Sequence, residues 1–290
     1  MSKRLRRKKS RPLYKLLTLD FLRRPKPKVA VLPLKGVIGN VGRLRGKGLL
    51  ADDLRDTIES AFRIPRVKAV ALDINSPGGS PVQSALIYNT IRECAAEYDV
   101  PVIAFAEDVC ASGGYWLACA GDEIYAHPAS IVGSIGVVAS GFGLEEFIHR
   151  HGITRRVYTQ GENKVMLDPF LPEKKEDVNR LLSVQRDVHA AFKALVIESR
   201  GKRLNADSDE LFSGAFWSGA QARDMGLVDG LGDVHSVMKE RYGKEVKFIT
   251  VKQKSSFFSG LLGSRANNVH WTEALLNTVE ERSIWQRFGL

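Results

Sequence analysis

Short apolar runs rich in β-branched residues alternate with stretches of helical periodicity along the first half of the chain. The runs at 29–34, 67–74 and 101–106 are bounded by turn signals, and helical patterns at about 49–62 and 80–98 separate them. A strand buried on both faces reads as a continuous apolar run, and parallel strands need a crossover that is usually a helix. The pattern therefore predicts an α/β fold with a largely parallel sheet.

The alternation continues further along the chain. We predict short strands around 123–126 and 155–158, with a short helix beginning at Ser112 before them. A long amphipathic helix is predicted at about 173–199, because apolar residues recur there at helical spacing. Its apolar side contains Val178, Leu181, Leu182, Val188, Ala191, Phe192, Leu195 and Val196.

Two glycine-rich turns follow predicted strands, one at residues 75–80 (NSPGGS) and one at 111–114 (ASGG). Open α/β sheets bind ligands at the carboxyl ends of their strands. Backbone N–H groups in such turns can stabilise a developing oxyanion. Either turn alone is also compatible with an ordinary β-turn or a serine helix cap.

Ser112 and Lys164 are the candidate catalytic pair. A serine hydroxyl needs an adjacent base to become a nucleophile, and a lysine serves if burial favours its neutral amine. Lys164 is followed by the apolar residues Val165, Met166 and Leu167, which would bury it. Alternative bases nearby are Lys174 and Lys175, which stand beside acidic residues and are expected to face solvent.

Four motifs in order resemble those of the S49 peptidases, the signal peptide peptidase A and SohB group. They are Ser-Pro-Gly-Gly at 76–79, Ala-Ser-Gly-Gly-Tyr at 111–115, the stretch PASIVGSIG at 128–136, and Lys164. The resemblance extends from about Val29 to Gly243. It implies a ClpP/crotonase-like spiral of ββα units, with Ser112 as nucleophile and Lys164 as general base.

The resemblance implies further roles and partners. Ser134 would orient the lysine amine, and the N–H groups of Gly78, Gly79 and Gly113 are the oxyanion-hole candidates. The expected substrates are peptides, including signal-peptide remnants and membrane-associated polypeptides. Family members form homo-oligomeric rings, so a chain with one copy of each motif either oligomerises or holds a complete site by itself.

Three alternatives remain open at this stage. A Ser-His-Asp triad would draw its base from six histidines and its acid from Asp73 or Asp122, although Ser112 is not in a Gly-x-Ser-x-Gly elbow. A crotonase-fold acyl-CoA enzyme would keep the fold and change the reaction. A catalytically weak membrane-surface scaffold would use only the tails and oligomer. The histidines are His127, His149, His151, His189, His235 and His270.

The net charge of +10 belongs to one end of the chain. Residues 1–28 contain twelve Lys/Arg and one acidic residue, so residues 29–290 are close to neutral. Such a basic arm suits an anionic membrane surface, since each basic residue near the surface contributes about 1 kcal/mol. A disordered solubilising tail is the alternative, and no RNA-binding module follows it, so nucleic acid is not an expected partner.

The apolar stretch at 13–22 contains Lys15 and Asp20 and lacks a cleavage site, so no signal peptide or transmembrane helix is predicted. We expect a cytoplasmic protein, peripheral on the inner face of the membrane. The expected organisation is a basic arm at 1–28, a peptidase domain at 29–243, and a strand, linker and helical tail at 244–290, with both extensions flexible.

Neither a metal nor an organic cofactor is expected. The three cysteines, Cys94, Cys110 and Cys119, have no metal-ligand spacing and are odd in number. Two of them lie inside apolar elements. We therefore expect buried free thiols.

Overall fold

A parallel sheet with helices on both faces forms the framework of the chain. The computed structural model describes residues 26–40, 48–205, 208–252 and 285–289. Most of the predicted basic arm, linker and C-terminal helix lies outside these residues. The strands are β1 (Lys28–Lys35), β2 (Val67–Ser76), β3 (Val102–Ala111), β4 (Glu123–Ala126), β5 (Ile131–Gly133), β6 (Phe216–Ser218), β7 (Gly230–Leu231) and β8 (Lys247–Thr250).

The helices connect these strands and supply the layers that cover the sheet. They are α1 (Ala51–Phe62), α2 (Pro81–Tyr98), α3 (Gly113–Ala118), α4 (Glu145–Arg150), α5 (Lys175–Arg200), α6 (Ser208–Leu211), α7 (Gly219–Asp224) and α8 (Val234–Tyr242), with a 3₁₀ turn at Gly201–Arg203. Among the described helices, none is both long and apolar enough to cross a bilayer.

The strand order is β6-β5-β3-β2-β1-β8, and all pairs are parallel except β5 with β6. β3 has two partners on the same side: its first half pairs with β4, and its last residues pair with β5. β4 in turn pairs with β7. The sheet therefore divides along β3, and Ser112 follows directly after its end.

Alternate residues of the strands face two separate cores. Leu32, Leu72 and Ile74 point into the larger core, which α1, α2, α3 and α5 cover. Val31, Ala71 and Phe105 point the other way, where α8 supplies Val234 and Met238. Because each fully buried aliphatic side chain contributes about 1.5–3 kcal/mol, the two cores hold the strand ends, and with them the loops of the site, in fixed positions.

The predicted α/β class and parallel sheet are confirmed, and most predicted elements agree with the structure to within a few residues. β3 is longer than predicted and continues to Ala111. The strand predicted around Arg155–Tyr158 is wrong. Residues 153–159 have no regular secondary structure, and the Tyr158 side chain is exposed. Strand propensity alone does not form a strand where no neighbouring edge pairs with it.

Candidate active site

Ser112 stands at a strained turn between β3 and α3. Its backbone angles are φ 51° and ψ −121°, outside the regions that residues with a side chain usually adopt. The Ser112 N–H donates to the Gly133 carbonyl (2.8 Å), and the Ser112 carbonyl accepts from the Trp116 N–H (3.0 Å). Both bonds fix the serine backbone, so the half-buried side chain leaves the sheet in one defined direction.

Gly78 packs directly against the serine. A Cβ atom at Gly78 would lie 2.7 Å from the Ser112 Cβ and 2.8 Å from the Gly113 nitrogen, and the Gly78 φ is +104°. Only glycine combines that conformation with such a close approach. The two glycine-rich turns that the sequence places after β2 and β3 therefore meet at Ser112.

A third segment, around Ile38, packs against the two glycine-rich turns, and the sequence did not predict this contact. The Ile38 N–H donates to the Gly78 carbonyl, and the Ser80 N–H donates to the Ile38 carbonyl, each at 2.8 Å. This short parallel bridge lies just beyond β1. The available signal was the pair of glycines, Gly36 and Gly39, that flanks two β-branched residues. Such a pattern does not show which loop it contacts.

The backbone N–H groups around Ser112 differ in their hydrogen bonding. The Gly78 N–H donates to the Ser76 side-chain oxygen at 3.2 Å. Within the described residues, the N–H groups of Gly79 and Gly113 have no hydrogen-bond partner. A Cβ atom at Gly113 would lie 3.3 Å from the Gly79 nitrogen, so these two groups are neighbours. Paired free N–H donors beside a nucleophile form the kind of site that binds an oxyanion.

Ser134 lies close to the serine turn through the backbone. It follows Gly133, the residue whose carbonyl holds Ser112, and its own N–H donates to the Ala215 carbonyl at 2.7 Å. Its φ is +53°, and its side chain is half-buried. In the described part of the chain its hydroxyl has no hydrogen bond. The hydroxyl is therefore available to a group that approaches the site.

Lys164 is not joined to Ser112 in the single chain. It lies in the irregular stretch between α4 and α5, where its N–H donates to the Gly161 carbonyl at 3.2 Å. The lysine is exposed, as are Lys174 and Lys175. Across the described residues, its amine forms no hydrogen bond with either Ser112 or Ser134. The structure therefore brings together the serine and glycine candidates but leaves the lysine apart.

The described histidines have contacts of their own. His127 accepts a hydrogen bond from the Ala129 N–H, and a ring nitrogen of His189 lies 3.2 Å from the Ile135 carbonyl. Neither histidine contacts Ser112 through a hydrogen bond. His149 and His151 lie at the end of α4. A histidine base for Ser112 is therefore not present among the described residues.

The cysteines are buried as free thiols. Burial raises the pKa of the Cys119 thiol to about 12 and raises that of Cys110 even further. Because a thiolate is the reactive form of cysteine, these residues act as small apolar side chains in the core. No cluster of three metal-ligand side chains occurs in the described ranges.

The site thus combines a serine on a strained strand-to-helix turn with a pair of free N–H groups beside it, an arrangement suited to acyl transfer on a serine nucleophile. The model of Peptidase family S49 matches residues 95–247, slightly more than half of the chain. The chain belongs to this family, which confirms the resemblance in its motifs.

Relatives differ in how much of their length this chain matches. A protein named Na(+)/H(+) antiporter NhaA from Brucella melitensis is 44% identical over 96% of this chain but only 39% of its own length. A putative signal peptide peptidase SppA from Enterococcus faecium is 30% identical, over 77% of this chain and 65% of its own. The chain thus spans less than two thirds of both relatives.

Among solved structures, a variant of the 1510-N membrane-bound stomatin-specific protease in complex with a substrate peptide is similar to this chain. The two are 15% identical, with a TM-score of 0.49, and the similarity covers 81% of this chain and 96% of that one.

Proposed function

We propose that this chain is a serine endopeptidase that hydrolyses peptides through Ser112 and Lys164. The observation that carries the proposal is the strained Ser112 turn beside the free N–H groups of Gly79 and Gly113. Membership of a peptidase family supports the reaction type, peptide-bond hydrolysis. No cofactor is required for this chemistry.

Each candidate residue has a defined task in the proposed reaction. The Ser112 oxygen attacks the peptide carbonyl while the neutral Lys164 amine accepts the hydroxyl proton. The N–H groups of Gly79 and Gly113 bind the oxygen that becomes negative. The lysine then delivers its proton to the leaving amine, and a water molecule hydrolyses the acyl-enzyme in the reverse sequence. Ser134 orients the lysine amine.

Of the three glycines predicted from the sequence, we assign the oxyanion hole to Gly79 and Gly113. Gly78 is left out because its N–H already donates to Ser76. Its task is instead steric, since a side chain there would displace Ser112.

We further propose that Lys164 reaches Ser112 from a second copy of the chain. The lysine is exposed and has no bond to the serine in the single chain. A lysine enclosed at an interface would lose water, which favours the neutral amine that a general base must have. A homo-oligomeric ring would provide this arrangement at every site.

The proposed site of action is the inner face of a membrane, with apolar peptides such as signal-peptide remnants as substrates. The basic arm at 1–28 supports attraction to anionic lipid. The names of two relatives, an antiporter and a putative signal peptide peptidase, also support a location near membranes.

The test is hydrolysis of fluorogenic apolar peptides by the wild type, Ser112→Ala and Lys164→Ala between pH 6 and pH 10. Loss of one triad-type residue costs several orders of magnitude, so we expect both variants to fall by about 10³-fold or more. The wild-type rate should rise with pH, as expected for general-base catalysis by an amine. Full activity in Lys164→Ala would remove the lysine from the mechanism.

Labelling with a fluorophosphonate probe separates the remaining alternatives. The probe modifies an activated serine and should label the wild type but not Ser112→Ala. An acyl-CoA enzyme of the crotonase type or an inactive scaffold would not take up the probe. Absence of both labelling and cleavage in the wild type would contradict the proposed function.

A further inference from the structure

Residues 137–174 carry Lys164 but contain little that would hold it in place. The only regular element in this described stretch is α4, a helix of 6 residues. A base must be placed within about 0.5 Å of its productive position for full activity. Some contact outside regular secondary structure must therefore fix the lysine loop.

The strongest contact in this stretch joins Arg155 to Asp168. Two guanidinium nitrogens of Arg155, Nε and Nη2, donate to the same Asp168 oxygen at 3.2 Å and 3.0 Å. The second oxygen of Asp168 accepts from the Phe170 N–H at 2.9 Å. The Asp168 side chain is only 6% exposed, although the stretch around it is open to solvent. The Arg155 side chain is about half exposed, so charge-assisted hydrogen bonds rather than burial hold the pair together.

Two further contacts hold the segment at residues 168–170. The Arg155 guanidinium lies over the Phe170 ring, 5.8 Å from its centroid. The Leu144 N–H donates to the Pro169 carbonyl at 2.6 Å. Residues 168–170 are therefore bound to two earlier parts of the stretch.

Lys164 lies only four residues before Asp168. Between them, Leu167 has φ +52°, and the Leu167 N–H lies 3.4 Å from a carboxylate oxygen of Asp177 on α5. The turn from Gly161 to Lys164 is closed by a backbone hydrogen bond. Because only three residues separate Lys164 from Asp168, we expect a displacement of Asp168 to shift the lysine backbone as well.

We propose that the Arg155–Asp168 pair is the positioning unit for Lys164 in peptide hydrolysis. The proposal rests on the function proposed above. The Phe170 N–H and the Arg155 guanidinium lower the pKa of Asp168, so the carboxylate stays charged over the working pH range of a serine peptidase. Neither residue contacts the reacting atoms, and both act through the lysine loop.

The test compares Asp168→Asn with the wild type in peptide hydrolysis. An asparagine has nearly the same shape but loses the charge that holds Arg155. Since misplacing a catalytic group by about 1 Å can cost about 10²-fold in rate, we expect kcat to fall by about 10- to 100-fold. KM should stay within about twofold of the wild-type value, because the pair is not proposed to bind substrate.

A double-mutant cycle separates positioning from general damage. If the pair acts through Lys164, Asp168→Asn should cause no further loss in a Lys164→Ala background. Arg155→Gln is the second variant if Asp168→Asn does not fold, and Arg155→Lys should recover part of the rate. The matched control is Arg150→Gln, which breaks the exposed Arg150–Glu146 pair in the same stretch and should leave the rate unchanged.

The possible failures can be told apart. If Lys164→Ala is inactive while Asp168→Asn and Arg155→Gln keep the wild-type rate, the positioning proposal alone is overturned. An equal loss in the wild-type and Lys164→Ala backgrounds also overturns it. If Lys164→Ala keeps the wild-type rate, or if the wild type neither cleaves peptides nor reacts with the serine probe, the proposed function fails and the positioning role falls with it.

Discussion

The backbone of Ser112 stores strain at the point where we propose that the chemistry occurs. A residue with a side chain at φ 51° and ψ −121° costs about 1–3 kcal/mol and persists only when its surroundings impose it. Here the Gly133 carbonyl, the Trp116 N–H and the close contact with Gly78 impose it. The same contacts hold the hydroxyl in place before substrate arrives.

Ser112→Gly should therefore be more stable than Ser112→Ala. Glycine relieves the strain but loses more backbone entropy on folding, about 0.5–1 kcal/mol, so the net gain should be about 1 kcal/mol. Equilibrium urea denaturation of the two variants measures the difference, and both should be inactive. If Ser112→Gly is the less stable of the two, the turn does not store the strain inferred from its angles.

At the residue scale, the sequence indicated which residues surround Ser112 but not which role each of them has. It offered three glycines as oxyanion donors, and the choice depends on Ser76, whose hydroxyl occupies the Gly78 N–H. The bond forms only because the Ser76 side chain points toward the Gly78 N–H, and residue spacing in the sequence does not predict that direction. Likewise, the contact between Ile38 and Gly78 joins loops 40 residues apart. Loop pairing of this kind follows from the assembled sheet and not from a local pattern.

At the scale of elements, apolar patterning was a good guide to the central strands and helices. The central parts of β1, β2 and β3 are buried, so the runs at 29–34, 69–72 and 102–106 are apolar and easily recognised. The error at 155–158 has the opposite cause. A strand was predicted there, but Arg155 is held by Asp168, and within the described residues no strand pairs with residues 153–159. Continuous apolar runs, which indicate burial, predicted the strands reliably, and strand propensity alone did not.

The end of α5 is held by a buried ion pair that the sequence did not suggest. The Arg200 side chain is fully buried and donates two hydrogen bonds to Asp229, at 2.8 Å and 2.9 Å, and a third to the Gly226 carbonyl. Burial alone would raise the pKa of Asp229. The bonds from Arg200 and from the Ile124 N–H outweigh it, so this pKa lies below its ordinary value.

Asp229→Ala should destabilise the fold by about 3–5 kcal/mol at neutral pH, because it leaves a buried guanidinium without its partner. A folded-state pKa below the unfolded value stabilises the protein above the unfolded pKa, and this stability is lost as pH falls through the folded one. The wild type should thus lose stability below about pH 5, and the variant should lose less over the same range. Urea denaturation from pH 3 to pH 7 tests this.

The matched control for Asp229 is Asp224→Ala. Asp224 pairs with Arg223 at the surface, and exposed pairs of this kind contribute about 0–1 kcal/mol. Its removal should therefore change stability little at any pH. Equal losses of unfolding free energy in the two variants would show that burial does not increase the contribution of the Arg200–Asp229 pair to stability.

At the scale of the whole molecule, several large apolar side chains of the described residues lie in water. In the stretch around Lys164, Phe142 is 83% exposed and Tyr158 is 90% exposed. Val184, on the first half of α5, is 56% exposed, although the second half of that helix packs into the core through Phe192 and Val196. Large exposed apolar side chains mark interaction sites when they form a contiguous patch. A second copy of the chain would cover them and bring its lysine to a serine.

The shared-site arrangement predicts that two inactive variants restore each other. Within one chain no hydrogen bond joins Ser112 to the exposed Lys164, and a head-to-tail contact between copies that joins them can close into a ring. In a ring assembled at random from equal amounts of Ser112→Ala and Lys164→Ala, about a quarter of the sites combine an intact serine with an intact lysine. Co-expression of the two variants, followed by peptide hydrolysis, should recover about that fraction of wild-type activity. Each variant expressed alone is the control and should be inactive. If mixed oligomers form but remain inactive, each site takes both residues from one chain, and Lys164 must then move to Ser112 within that chain.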